Sequence, residues 1–525
     1  MGAAIDSNST QAYYGEEATL GVQSPGPFWP IEPNSYATWG ADAKSVTRSP
    51  INISRQKNKG TTSEIDIAAG FNTDYTHNNV LRLMQGMMFA DIREKARTTP
   101  MNAAAPTLVT GVAVGSFTLA SAIPTFKPKS LIHAANFANA NNNGLMLASA
   151  VAGAVITAAP LLAGATVVEA APPATAKLTA VGMQLSAAAT LTGLAGAVCI
   201  MTDTGSDFTT WGLNSGEWLY IGDKGNATAA KDFNFYGDVT AKPVRGYARI
   251  GSISTTSIVF DFCTFGNLGD NTAAVKTGGG AAVNVYFGSF LKNEATLALI
   301  KRRSYTMPRY LGKGVGNADQ LETMLGCVPD KFTLTLKQGA KLECDFSFVG
   351  IGSTYTNVAM LTGTIGTFYN EPAFNLSQDL FASLLTVVGT ESSSLFAYAT
   401  DVTLSIDNGA TAAKALGSVS GFDISVGDFA VSGKTTLYFN DINAIAAVQN
   451  NADTGITEIF ARKNTGMVFD VPLVTLGGGQ LKIEQNKKIT CDVTQDGAAN
   501  ANGYTASITQ FYFLPDSAMS GYKGL

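Results

Sequence analysis

LKQGAKLECDF, Leu336 to Phe346, and IEQNKKITCDV, Ile483 to Val493, are one pattern written twice. Gln338, Lys341, Cys344 and Asp345 recur as Gln485, Lys488, Cys491 and Asp492, 147 residues further on. Apolar positions recur with them, at Leu336/Ile483, Leu342/Ile489 and Phe346/Val493. Each copy reads as strand, turn, strand. A self-match of this kind sets the architecture before any single element does.

A second pair lies outward from the first. NVLRLMQG, Asn79 to Gly86, matches NAIAAVQN, Asn443 to Asn450, at an offset of 364 residues. Apolar residues recur at helical spacing, so each is expected to be a short amphipathic helix. Strand-like runs precede both, TSEIDIAAGF and DFAVSGKTTLYF. The two offsets differ by 364 − 147 = 217 residues. A single β-strand/helix/strand module therefore occurs twice, and about 200 residues interrupt the first copy between Phe89 and Ser304.

The interruption contains GLMLASAVAGAVITAAPLLAGATVV, Gly144 to Val168, with no charge in 25 residues. That length could cross a bilayer as a helix, which takes roughly 20 apolar residues. The segment has an echo in RGYARIGSISTTSIVFDFCTFG, Arg245 to Gly266, which carries Arg249 and Asp261. Lipid disfavours both charges at mid-depth. Alternation, β-branched residues and Pro160 point to paired strands, and the inserted residues to two similar small β units.

The 525 residues hold 14% charged and 46% apolar residues, with net charge −5. Low charge suits extensive protein–protein contact, since interface cores are depleted in charge. An acidic chain lacks the basic footprint of a duplex-DNA binder. Cys199, Cys263, Cys327, Cys344 and Cys491 are too few and too scattered for a disulfide framework. The opening MGAAIDSNSTQAYYGEE has neither basic nor apolar leader character, so no secretory signal is expected.

Catalytic constellations do not emerge. The two histidines, His77 and His133, lack a nucleophile elbow and are expected as surface or capping residues. Gly433-Lys434-Thr435 lacks the earlier glycine of a phosphate loop and reads as a strand bearing an exposed lysine. No metal-ligand spacing appears. The expectation is no enzyme, no metal and no cofactor. Trp211, Trp218 and Tyr220 could stack on glycans or form core.

Two charged features stand out. RSPINISRQKNKGTT, Arg48 to Thr62, carries Arg48, Arg55, Lys57 and Lys59 without an acid. It joins two strand-like runs, and its aligned partner in the second copy carries only Lys414. Glu64 and Asp66 alternate with Ile65 and Ile67, so both acids face one side of their strand.

The order of strand, long loop SPINISRQKNKGTT, strand TSEIDIAAGF and helix DYTHNNVLRLMQGMMFA resembles the tail tube proteins of long, non-contractile-tailed bacteriophages. So do ATDVTLSIDN, LGSVSGFDISVGDFAVSG, DINAIAAVQNN and GMVFDVPLVTLGGGQLKIEQNKKITCDVT. The resemblance spans most of residues 20–100 and 300–515. It implies a mainly β chain of two tandem β-sandwich modules, each with a flanking helix, and a large inserted all-β domain in the first. The expected division is 1–102 with 291–350, then 103–290, then 351–525. The resemblance further implies stacked rings of six modules, hence three chains per ring, around a lumen through which the genome passes without specific binding. Partners would be further copies of the chain and the tape measure, tail terminator and distal tail proteins, in the virion tail of a phage assembled in the bacterial cytoplasm, with no membrane. On this reading Arg48, Arg55, Lys57 and Lys59 form an inter-ring contact loop, Glu64 and Asp66 face the lumen, and the insertion decorates the outside and can be removed without loss of assembly. The alternatives are a tube-end or baseplate protein built on the same module, or a surface adhesin.

Overall fold

A computed structural model of the chain describes residues 5–518, apart from 49–50, 52, 54–55, 57, 103–105, 162–163, 194–197, 224–232, 235–242, 265–274, 278–281, 369–370, 389–394, 396–397, 440–441 and 463. The chain is mainly β, in two large antiparallel sheets and one two-stranded ribbon.

The first sheet contains a run of eight strands. Pro33–Val46 pairs Thr61–Asp74, which pairs Glu343–Gly350, which pairs Asp319–Lys337. Asp319–Lys337 then pairs Ala399–Asp407, followed by Ala430–Tyr438, Thr490–Gly497 and Thr465–Lys482. The order within the first four strands repeats in the second four. The register repeats too: Cys344 lies opposite Leu334 and Thr73, and Cys491 lies opposite Leu481 and Leu437. The offsets between these partners are 147 and 364 residues, those of the two sequence matches.

Asp319–Lys337 and Thr465–Lys482 are long enough to leave this layer and continue into a second one. The early part of Asp319–Lys337 pairs Tyr305–Lys313 and Gly352–Thr356, and that of Thr465–Lys482 pairs Thr454–Arg462 and Ser507–Phe511. Two layers per half enclose one apolar core shared by both halves. Phenylalanines cross its middle: Phe71 stacks on Phe346 at 5.4 Å, Phe346 meets Phe332 at 5.0 Å, and Phe332 stacks on Phe469 at 6.1 Å. All five cysteines are buried thiols.

The helices are short and offset slightly from the matching segments, Leu81–Met87 and Ile442–Gln449. The first is not amphipathic: every residue in it except Arg82 is buried, because it lies between the sandwich and the connections to the insertion. Arg82 stacks its guanidinium on Trp29, 4.2 Å from the ring centre.

The interruption folds as the second sheet, of 15 strands. Gly144 to Val168 supplies the hairpin Gly144–Ala152/Val155–Pro160, and no helix among the described residues is long and apolar enough to cross a membrane. Strand order mirrors about the central pair Lys177–Gln184 and Asn284–Tyr286. Outward on one side stand Ser130–Ala135, Gly144–Ala152, Val155–Pro160, Ser116–Leu119 and Val109–Ala113. On the other stand Trp218–Ile221, Gly246–Ile253, Ser257–Cys263, Cys199–Thr202 and Thr190–Gly193 in the corresponding order.

One face of this sheet encloses its own core. The other face lies on the second half's outer layer, where Trp218, Tyr220, Tyr247 and Tyr286 pack with Ile459, Val468, Phe511 and Phe513. The buried Arg249 donates to Asp261 on the neighbouring strand of its own sheet at 2.8 Å and, across this contact, to Asp470 at 3.2 Å. Burial works against the Arg249 charge, and the two carboxylates overcome it. The buried Lys95–Glu217 pair, 2.8 Å, ties the sheet to its incoming connection. Removing the insertion would uncover an apolar face and strand Asp470 without its cation. The expectation of a freely removable decoration therefore gives way to an integral, docked layer.

Both histidines depart from the expected surface role. His77 packs edge-on against Tyr512 at 5.3 Å and contacts Thr465 and Gln510. His133 packs on Phe513 at 5.3 Å. Burial, with Lys177 and Arg97 nearby, brings His77 down to about 3; burial and Lys177 bring His133 down to about 4. Both are neutral packing residues at physiological pH.

One carboxylic acid lies in the sandwich core. Glu458 is fully buried and pushed up to about 8 by burial, against the opposing hydrogen bond from Ser383 Oγ at 2.8 Å. An acid whose folded value lies above its unfolded value, near 4.5, binds a proton more tightly in the native state. Its contribution is present below about 4.5 and is lost as pH rises through about 8. Wild-type stability minus that of Glu458→Gln should fall over that window by roughly 3–5 kcal/mol. Urea unfolding at pH 5 and pH 8.5 measures it.

Candidate assembly surfaces

Alternation along the eight-stranded run places its apolar side chains on the core and its polar side chains on the opposite face. In-register partners trace that face: Asn72, Asp345, Thr333, Ser405, Ser432 and Asp496 follow one another across neighbouring strands. Asp74, Glu343, Thr335, Thr403, Lys434 and Thr494 form the next row. The paired positions of this face carry ten carboxylates (Asp42, Glu64, Asp66, Asp74, Glu343, Asp345, Asp401, Asp407, Asp492 and Asp496) and only five lysines (Lys44, Lys331, Lys337, Lys434 and Lys482).

Each of those lysines stands beside an acid. Lys331 is directly opposite Asp407, and Lys337 opposite Asp401. Asp492 bridges Lys482 at 2.6 Å and Lys434 at 3.0 Å. Hydrogen bonds from Lys482 and Lys434 bring its carboxyl down to about 2. From the adjoining turn, Lys341 bonds Asp74 at 2.6 Å. Among the described residues the face is net acidic and offers no lysine unaccompanied by a carboxylate.

Glu64 and Asp66 lie on this face, while Ile65 and Ile67 turn to the core. They are not bare acids. Lys414 reaches Asp66 at 2.5 Å and Glu64 at 3.2 Å, and Lys44 pairs with both. Hydrogen bonds from Lys414 and then Lys44 hold Asp66 below the usual carboxylate range. Lys414 arrives from the connection after Ala399–Asp407, whose Val419 carbonyl accepts the Ile65 N–H at 2.7 Å. The second half thus clasps the first half's hairpin. Sequence reasoning missed these partners because each lysine is remote in the chain or on the facing strand.

The basic loop joins the paired strands Pro33–Val46 and Thr61–Asp74. Arg48 and Lys59 are exposed. Arg55 and Lys57 lie outside the described residues. Trp218 and Tyr220 are buried against the second half, and Trp211 packs on Phe287 at 6.3 Å, so these rings do not form an open stacking platform. Lys434 extends from a strand and bonds Asp492, away from any phosphate-loop geometry. No group of three or more metal-binding side chains occurs among the described residues.

The ends of the eight-stranded run are open. Among the described residues, Pro33–Val46 pairs only Thr61–Asp74, and Leu476 to Lys482 pair only Thr490–Gly497. Open edges of a long sheet are templates for pairing with another chain. The edges are apolar on the core side, where Trp39 and Leu481 sit at the rim of the core.

Comparison with curated proteins gives no match. A family model described as phage tail tube protein matches residues 7–509. With that match spanning nearly the whole chain, on a β-sandwich with two open edges, the chain belongs to the phage tail tube protein family, a family of structural, non-enzymatic virion tail components.

Proposed function

We propose that three copies of this chain close into a ring, and that rings stack into the tail tube through which the phage genome leaves. The observation that carries this reading is the repeated strand order ending in two open edges. Within the chain, the halves join where Lys331–Thr335 run opposite Asp407–Thr403. The 147-residue offset carries Lys331–Thr335 to Gly478–Lys482. An offset of 365, set by Trp39/Ala69 against Leu404/Gly433, carries Thr403–Asp407 to Thr38–Asp42. Between chains, Leu481 then meets Trp39 of the next copy, and Gly479 meets its Ala41. Three chains of eight strands each give a closed barrel, which removes every edge.

In that barrel the polar face lines the lumen. Ten carboxylates and accompanied lysines repel or ignore phosphates, as suits a conduit. Glu64 and Asp66 belong to this lining. Each half is one sandwich module; residues 103–290 form the inserted domain, on the outside. The loop of Arg48, Arg55, Lys57 and Lys59 serves as a contact between rings. Tape measure, terminator and distal tail proteins would meet the tube at its interior and ends.

The purified protein under negative-stain electron microscopy tests the reading. Long hollow tubes support it; single rings that never polymerise favour a tube-end component. Asp492→Asn should assemble normally yet leave Lys434 and Lys482 without their carboxylate in every chain. Its tubes should then retain more labelled single-stranded DNA at low salt than wild-type tubes do, and release it as salt rises. Equal retention by both would remove the charge argument.

A further inference from the structure

The strands of the long sheet end on two opposite rims. Val46 pairs Thr61 at one rim, where Asp407 pairs Ala430. Lys482 pairs Thr490 at the other, where Tyr438 also pairs Thr490.

The first rim carries an apolar crest. Thr411–Ala413 and Asp423–Ser425 form the two-stranded ribbon there. Its connection presents Leu416 fully to solvent and Phe422 at 61% exposure. Beside it run Leu297, at 83%, with Leu299 and Ile300. Arg302 ties the two pieces together: its guanidinium donates to the Ile424 carbonyl and lies 3.7 Å from Asp423. The crest is therefore two connections held side by side, not a pair of loose loops. At the second rim stand Tyr398, Ile442 and Ile483, the last two 68% and 74% exposed.

We infer that the crest of Leu297, Leu299, Ile300, Leu416 and Phe422 seats the opposite rim of a second copy of this chain, on the side of Tyr398, Ile442 and Ile483. Monomeric surfaces rarely keep contiguous large apolar side chains bare. The occupant is a copy of the chain, because apolar groups stand at both rims while the face between them is polar and charged. Two different patches meeting head to tail make a heterologous contact, which continues without closing. This inference rests on the ring reading above.

Two variants test it. Leu416→Ser with Phe422→Ser disables the first rim; Ile442→Ser with Ile483→Ser disables the second. These side chains are exposed, so each variant should keep the wild-type near-UV spectrum and form rings. Neither alone should form tubes. An equal mixture should give stacks of two rings and nothing longer, because each variant keeps one working rim. Tubes of wild-type length from either variant would overturn the inference, as would single rings only in the mixture. Absence of rings from the wild-type protein would instead remove the ring reading itself.

Discussion

Thr38→Pro should yield a folded, soluble chain that makes no rings. Thr38 lies on the open strand Pro33–Val46, where the pairing with Thr61–Asp74 shifts register between Tyr36 and Trp39. Thr38 falls in that bulge, outside the paired positions, where a proline disturbs the intrachain sheet least. On the outer side it removes a donor and puts its ring where the next chain's Lys482 must approach. Every ring contains this seam at each chain boundary, so the loss is all-or-none. Analytical ultracentrifugation should show monomer at concentrations where the wild type assembles, with an unchanged far-UV spectrum. Wild-type assembly by the variant would exclude this edge as the seam.

Arg249→Met should cost about 3–5 kcal/mol of stability, because it leaves Asp470 buried without its cation. Asp470 is fully buried; burial raises its carboxyl above the usual range, against Arg249 and the Thr457 hydroxyl at 2.8 Å. The double variant Arg249→Met, Asp470→Leu should recover most of the loss, since an apolar pair replaces a buried ionic one at little cost. Urea midpoints of the two variants measure the difference. A single variant as stable as the wild type would mean that the insertion is not held on the second half by this pair.

The repeated strand pattern was legible because it is local and doubled. Cys344 and Cys491, with the alternating apolar residues around them, mark the core side of equivalent strands. The insertion's strands were legible as β from their alternation. Its docking was not: Gly246–Ile253 begins with five consecutive buried residues, because one face meets its own core and the other meets the second half. A strand covered on both sides loses the alternation that assigns faces. Helix Leu81–Met87 lost its expected polar side for a similar reason. The partners of Glu64 and Asp66 were invisible because Lys414 comes from 348 residues away. The histidines were misjudged because polarity alone does not reveal that Tyr512 and Phe513 cover them.

An electron cryomicroscopy reconstruction of the assembled tube tests the central claim most directly. It should show three chains per ring, near-sixfold symmetry in the inner barrel, and Gly478–Lys482 of each chain hydrogen-bonded to Thr38–Asp42 of the next. Six whole chains per ring, or an inner wall in which these two edges stay unpaired, would contradict it.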